Sequence, residues 1–219
     1  MTPRAERTTP RAALQRGLGE LALALPAGAN DKLLAYLELL AKWNQTYNLT
    51  AIRDPLQAVS HHLLDSLAVL CELADRTGAL ADVGSGGGLP GIPIAIADPE
   101  RRVTLNDANE KKGAFLRQAI IELELRNADV YIGRVEAWQP AGRFAVVISR
   151  GFASLVDFLA ACRHLAAPSG VLAAMKGAYP GAELAQVPAD CDCAEVRRLK
   201  VPLLDAERHL VLCRVGASA

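Results

Sequence analysis

The sequence is poor in features that would assign the protein to a specialised class. Its 219 residues contain no apolar stretch approaching the ~20 residues that span a bilayer, and no apolar segment of the secretory type near the N-terminus. The 24 basic residues are balanced by 24 acidic ones, which excludes a polybasic nucleic-acid binder but leaves room for a local basic face. The sequence has no apolar repeat of the kind that would indicate a dimer interface. We therefore expect a cytoplasmic monomer with no membrane segment.

Cysteine is also scarce, and its spacing does not indicate a metal or redox site. The five cysteines are scattered and include no C-x-x-C pair. Cys191 and Cys193 are two positions apart, which is a poor spacing for zinc. No pair of His, Cys or acidic residues has metal-ligand spacing. We therefore expect no metal site, and reduced, mostly buried thiols, at Cys71, Cys162, Cys191, Cys193 and Cys213.

The most informative feature that is present is a glycine-rich segment, Asp82-Val-Gly-Ser-Gly-Gly-Gly-Leu-Pro-Gly91. It follows the apolar run 79–83 and precedes a second apolar run, 94–97. Glycine allows positive φ and a close approach of a ligand to the main chain, and proline is tolerated where a helix begins. The pattern predicts a strand, a tight turn and a helix, which is the nucleotide-cofactor corner of a doubly wound α/β sheet.

Glycines alone leave the identity of the cofactor open. Gly86-x-Gly88-x-x-Gly91 matches a dinucleotide-binding pattern, which is a weak signal by itself. Asp107 lies 23 residues beyond Gly84, after a second apolar strand, and an acid at about that offset accepts hydrogen bonds from a ribose diol. This arrangement suits NAD and S-adenosylmethionine equally, so a nicotinamide-dependent oxidoreductase is the alternative to a methyltransferase.

The chain divides into three parts by pattern. Residues 1–20 resemble a disordered basic tail, residues 21–75 have helical periodicity, and residues 76–219 alternate strand with helix. Alternation of this kind predicts a parallel sheet, and two consecutive strands at the end predict an antiparallel pair at its edge. We predict a seven-stranded, Rossmann-like class I methyltransferase sheet with an N-terminal helical extension. Its strands fall at 79–83, 102–106, 129–132, 144–149, 171–175, 195–203 and 209–215.

Several further segments resemble one known family. The glycine-rich segment, Lys42-Trp-Asn-Gln-Thr-Tyr-Asn-Leu-Thr-Ala-Ile-Arg53 and His62-Leu-Leu-Asp-Ser-Leu67 are similar to blocks of RsmG, the bacterial 16S rRNA guanine-N7 methyltransferases once called glucose-inhibited division protein B. The segments 148–154, 175–177 and 207–211 resemble later blocks of that family. The resemblance covers roughly residues 33–215.

The resemblance implies S-adenosylmethionine as cofactor and assigns residues to it. The main chain of Gly84, Gly86 and Leu89 would approach the methionine moiety, and Asp107 would bind the ribose. The Val135 main chain and the Glu136 side chain, after the third strand, would meet the adenine, since a carboxylate accepts from its amine. The family often has Asp-Ser or Glu-Ser where this chain has Asp107-Ala, and the acid is kept.

The resemblance also implies the reaction. The substrate would be N7 of a guanine in 16S rRNA of the small ribosomal subunit, guanine 527 in the 530 loop. N7 carries a free lone pair, so we expect positioning residues and no general base. Arg150, at the end of the fourth strand, would lie between cofactor and target. A salt bridge at the rim of the site is its alternative role.

The remaining candidates are weaker. Lys176, Arg208 and His209 are expected to contact RNA. Trp43 and Tyr47 could stack on bases, but we favour helix packing for them. His61 and His62 are expected to be helix-surface or packing residues and not metal ligands. A non-catalytic RNA-binding or ribosome-associated module with the same fold is a third possibility.

Overall fold

The N-terminal third of the protein is helical. The structure, a computed structural model, describes residues 8–215. Local signals define the helix starts. Thr9 Oγ1 accepts a hydrogen bond from the Ala12 N–H (3.2 Å), and Asp54 Oδ1 accepts one from Gln57 (2.8 Å), each before a proline at the first helical position. The elements are α1 (Pro10–Glu20), α2 (Ala29–Tyr47), α3 (Pro55–Ala58), a π-helix (Val59–Leu64) and α4 (Asp65–Glu72).

Helix α1 corrects one prediction. We expected residues 1–20 to be a disordered basic tail, but Pro10–Glu20 form a helix. Leu14 and Leu18 of this helix are buried, and Gly17 lies against Leu64 of the π-helix so closely that a Cβ would overlap it. The Thr-Pro start and the i, i+4 leucine spacing were the overlooked signals, masked by the interspersed arginines. Residues 1–7 lie outside the described residues.

The rest of the described chain builds one seven-stranded sheet, with the order β3-β2-β1-β4-β5-β7-β6. The first five strands run parallel, and β7 is antiparallel to both β5 and β6. The predicted fold and the antiparallel final pair are therefore confirmed. The strands are β1 (Leu80–Val83), β2 (Val103–Asp107), β3 (Ala128–Ile132), β4 (Phe144–Arg150), β5 (Ala166–Lys176), β6 (Cys191–Arg198) and β7 (His209–Val215). The helices between them are α5 (Gly91–Ala97), α6 (Glu110–Glu122), α7 (Leu155–Cys162) and α8 (Gly181–Leu184), with short 3₁₀ turns at Val135–Ala137 and Arg163–Leu165.

Both faces of the sheet are covered, and β4 shows how. Val146 and Ile148 belong to a core cluster that includes the N-terminal helices. Val147, on the opposite face, packs in a second cluster with Phe158 of α7. A strand covered on both faces is apolar throughout, as this segment is. Among residues 8–215, no helix combines the length and the apolar composition of a membrane-spanning segment.

A disulfide corrects a second prediction. Cys193 of β6 and Cys213 of β7 are bonded, whereas we expected all five thiols to be reduced. Pairing of the two strands brings the two Cα atoms to 4.1 Å, and a separation of 20 residues along the chain gave no sign of it. Cys71, Cys162 and Cys191 are free.

Candidate functional site

The glycine turn lies at the carboxyl end of β1 and combines two kinds of glycine. Gly84, Gly86 and Gly88 have positive φ (70°, 57° and 84°), a conformation that suits glycine. A Cβ on Gly84 would meet nothing within 4 Å, whereas one on Gly88 would overlap Ile92. The main chain at Gly84 therefore faces open space that a ligand can occupy, and Gly88 allows close packing of the turn on α5.

Asp107, at the end of β2, is bonded directly to this turn. Its Oδ2 accepts a hydrogen bond from the Gly86 N–H (3.0 Å), and its Oδ1 accepts one from the Asn109 N–H (2.9 Å). Each carboxylate oxygen has a further lone pair. The turn and the acid that the sequence assigned to one cofactor thus lie side by side, and the acid has acceptor capacity left for a ribose hydroxyl.

The third predicted contact region follows β3. Val135 is buried at the start of a 3₁₀ turn, and Glu136 is exposed. A hydrogen bond from its own backbone N–H and the Arg134 guanidinium lower the pKa of Glu136, and Arg134 Nη2 is 3.0 Å from its Oε1. The Gly133 N–H donates to the Asp107 carbonyl (3.1 Å). This bond connects the segment to the glycine turn through Asp107.

Arg150 lies at the end of β4 and is engaged by the N-terminal helices. Its Nη1 donates to the His61 carbonyl (2.9 Å) and to Asp65 Oδ2 (3.1 Å). Arg208 reaches the same carboxylate, with Nε 2.9 Å from Oδ1. The salt bridge that we named as the alternative role of Arg150 is therefore present, and sequence reasoning missed its partner, Asp65.

The three predicted RNA contacts lie around the start of β7, each bonded to a protein group. Lys176 Nζ is 2.8 Å from Glu183 Oε2, and His209 Nδ1 is 2.9 Å from the Gly177 carbonyl. Lys176 and His209 are register partners in the β5–β7 ladder, which explains their proximity. Their role in RNA binding, like that of Arg208, stays a prediction.

Two further residues at the turn were missed. The Tyr36 hydroxyl, on α2, donates to the Gly87 carbonyl at 2.6 Å, and burial raises the tyrosine pKa, which keeps the hydroxyl protonated. Asp82 Oδ2 accepts from the Gly91 N–H (2.8 Å), and burial raises its pKa to about 7, above its ordinary range. A buried tyrosine and a buried acid each need a polar partner, and that requirement was the available signal.

Trp43 and His62 pack against the protein as the sequence predicts, whereas Tyr47 is 41% exposed. Trp43 contacts Phe115 of α6 with ring centroids 5.6 Å apart, so it connects α2 to the sheet domain. His62 is buried, and its Nε2 lies 2.9 Å from Thr50 Oγ1. Within residues 8–215, no group of three His, Cys, Asp or Glu side chains is placed to hold a metal ion.

The site fits S-adenosylmethionine better than a dinucleotide. Open space beside Gly84, together with a carboxylate fixed on Gly86, suits a ligand with a ribose and a chain that lies against the glycine turn. A dinucleotide-binding sheet continues with a second parallel half, whereas this sheet places antiparallel β7 beside β5. The fold and the site therefore define a class I, S-adenosylmethionine-dependent methyltransferase.

Comparison with known proteins narrows the class. The family described as rRNA small subunit methyltransferase G matches residues 29–211. A ribosomal RNA small subunit methyltransferase G from Laribacter hongkongensis is 54% identical over 198 residues, covering 90% of this chain and 95% of that protein. One from Burkholderia thailandensis is 50% identical over 215 residues, covering 95% and 93%. The chain belongs to this family.

A solved structure supports the fold. An S-adenosylmethionine-dependent methyltransferase from Aquifex aeolicus superposes with a TM-score of 0.55, covering 80% of this chain and 98% of that one. Its sequence is 18% identical, so this likeness concerns the fold alone.

Proposed function

We propose that the protein transfers a methyl group from S-adenosylmethionine to N7 of a guanine in 16S rRNA, specifically guanine 527 in the 530 loop. The observation that carries the proposal is the Asp107 carboxylate bonded to Gly86 beside the open face of the glycine turn, in a chain of the small subunit methyltransferase G family. We further propose that the protein acts as a monomer in the cytoplasm, on the small ribosomal subunit or its assembly intermediate.

Residues at the carboxyl ends of three strands share the binding of the cofactor. The main chain from Gly84 through Gly86 to Leu89 binds the methionine moiety. Asp107 binds the ribose hydroxyls. The Val135 main chain and the Glu136 carboxylate bind the adenine edge. An exposed carboxylate whose pKa is lowered stays ionised at neutral pH and accepts hydrogen bonds from an exocyclic amine.

The chemistry requires geometry more than proton transfer. Bound S-adenosylmethionine supplies a sulfonium methyl group that is open to attack. Guanine N7 presents a lone pair in the major groove. As N7 bonded to the methyl carbon, the sulfur–methyl bond would break and S-adenosylhomocysteine would leave, and no proton would have to be removed from N7. Arg150 positions the target, and Lys176, Arg208 and His209 contact the RNA around it. Holding the reacting atoms in line accounts for the acceleration.

The test uses small ribosomal subunits from a strain that lacks the gene for this protein. They are incubated with the protein and methyl-labelled S-adenosylmethionine, and the RNA is then cleaved at N7-methylguanine to map the site. The expected result is a single methylated guanine, at position 527. Asp107→Asn should abolish transfer, whereas Asp129→Asn, an exposed acid on the neighbouring strand β3, should leave it unchanged.

Other outcomes would contradict the proposal in distinct ways. Methylation at a different guanine would overturn the position and keep the reaction. Binding of S-adenosylmethionine without transfer to any ribosomal RNA substrate would favour the non-catalytic module. Tight binding of NADH with no binding of S-adenosylmethionine would overturn the cofactor.

A further inference from the structure

A single buried carboxylate lies between the two arginines of the site. The Asp65 side chain is only 3% exposed, and its two oxygens bond to different guanidinium groups, Oδ2 to Arg150 and Oδ1 to Arg208. These residues lie 85 and 143 positions away in the sequence. An ionised carboxylate persists in such a place only when it is well paired. Asp65 is therefore the point where three distant segments meet.

The arginines reach this carboxylate from separate elements. Arg150 ends β4, Arg208 immediately precedes β7, and Asp65 begins α4. The preceding π-helix adds a second contact, because its His61 carbonyl accepts from Arg150 Nη1 (2.9 Å). Segments of π-helix occur frequently at functional sites. The N-terminal helices thus supply both protein partners that the Arg150 guanidinium group has among residues 8–215.

The cluster also keeps binding capacity. Two guanidinium groups and one carboxylate leave a net positive charge, and the arginine side chains stay 27% and 22% exposed. Within residues 8–215, Arg150 donates to protein groups through Nη1 alone, and Arg208 through Nε and Nη1. Each guanidinium therefore has N–H groups left, and these groups match a phosphate oxygen in charge and geometry.

We propose that Asp65 is a positioning residue for methyl transfer. It holds the Arg150 and Arg208 guanidinium groups together at the cofactor edge, where both bind one phosphate of the RNA beside the target guanine. This proposal rests on the proposed function. Because Asp65 acts through the arginines, its removal affects the binding and positioning of the RNA and not the binding of S-adenosylmethionine.

The central variant is Asp65→Asn, which keeps the shape and one carbonyl oxygen but removes the charge. Rates are measured on small subunits that lack the modification, with each substrate varied in turn. We expect kcat/KM for the subunit to fall at least tenfold, with KM for S-adenosylmethionine within twofold of wild type. In the variant Asp65→Asn/Arg150→Met, the loss of kcat/KM should be smaller than the product of the losses in the two single variants, because residues that act as one unit are not additive.

Glu72→Gln is the matched control. Glu72 ends the same helix, α4, and its Oε2 is 2.9 Å from Nη1 of Arg197 on β6. This pair also connects α4 to the final strand pair, but it includes neither arginine of the site. If Asp65 only stabilised the fold, the loss of activity for a given loss of melting temperature would be the same in the two variants. We expect Glu72→Gln to keep kcat/KM within twofold.

A salt titration gives a readout that a structural role would not move. The slope of log K against log salt for binding to the subunit is proportional to the number of phosphate contacts. Because Asp65→Asn should lose one phosphate contact, it should reduce this slope by about one. Glu72→Gln should leave the slope unchanged. Should Asp65→Asn fail to fold, Arg208→Met takes its place, with the same expected loss of slope.

Three outcomes would overturn the inference. They are multiplicative effects of Asp65→Asn and Arg150→Met, an unchanged salt slope, or an equal loss of activity in Glu72→Gln. If the wild-type protein itself transfers no methyl group to the subunit, the proposed function fails instead, so the two failures are distinguishable.

Discussion

The hydrogen bond from Tyr36 to Gly87 is the most direct connection between the N-terminal helices and the glycine turn. The tyrosine is fully buried, the O–O distance is 2.6 Å, and the Gly87 residue is also buried. Tyr36→Phe removes only the hydroxyl and leaves a buried carbonyl without a partner. The cost of such an unsatisfied group is about 1–3 kcal/mol. For a chain of this size, a loss of about 2 kcal/mol lowers the melting temperature by roughly 4–8 °C.

The same loss should reach cofactor binding, because Gly87 lies within the turn from Gly84 to Leu89 whose main chain we propose binds the methionine moiety. If the glycine turn of the variant must be reordered before S-adenosylmethionine binds, and this reordering costs about 1.4 kcal/mol, the affinity for S-adenosylmethionine falls about tenfold. Calorimetric titration measures the affinity, and urea unfolding measures the free energy of unfolding. The matched control is Tyr47→Phe, on the same helix, where the side chain is 41% exposed and we expect less than about 0.5 kcal/mol of change. A Tyr36→Phe protein with wild-type stability and affinity would refute the reasoning.

Three further predictions concern stability. Burial lowers the pKa of His62 to about 4, so the stability that His62 contributes is present above pH ~6.5 and is lost as the pH falls toward 4. Relative to His62→Gln, wild type should lose up to about 3 kcal/mol of unfolding free energy over that range. Burial raises the pKa of Asp82 to about 7, so the stability that Asp82 contributes is present below pH ~4 and is lost as the pH rises to 7. Relative to Asp82→Asn, wild type should lose up to about 4 kcal/mol of unfolding free energy on raising the pH. The same pH dependence of urea unfolding in both proteins would contradict this. In α1, Gly19→Ala should stabilise the protein by about 0.5–1 kcal/mol, since a Cβ there meets nothing within 4 Å. Gly17→Ala should destabilise the protein, since its Cβ would overlap Leu64. Equal shifts in melting temperature would mean that α1 is not docked.

Features with a local signal were predictable from the sequence. The apolar run before the glycine turn and the alternation of strand with helix specified the sheet, because turn chemistry and hydrophobic period act over a few residues. Asp54 and Pro55 were recognised as a helix start for the same reason. The side-by-side placement of Gly86 and Asp107 followed from the rule that ligands bind beyond the carboxyl ends of parallel strands.

Features that depend on long-range pairing were not predictable in the same way. The partners of Tyr36 and Asp65 lie 51 or more residues away, and no local pattern selects one arginine among many. A weaker signal did exist for Asp65. It interrupts an apolar run whose neighbours Leu63, Leu64 and Leu67 are fully buried, and a charge in such a run requires a partner of opposite sign. That reasoning identifies a buried ion pair but not its position in the fold.

The contacts of the N-terminal helices show why a boundary at residue 75 does not separate two independent units. Helix α2 bonds to the glycine turn through Tyr36, and α4 bonds to the ends of the sheet through Asp65. Leu33 of α2 and Leu105 of β2 belong to one continuous core cluster. A cofactor turn and an arginine that are both held from outside the sheet are oriented only when the helices are in place. The helical extension is therefore part of the candidate site.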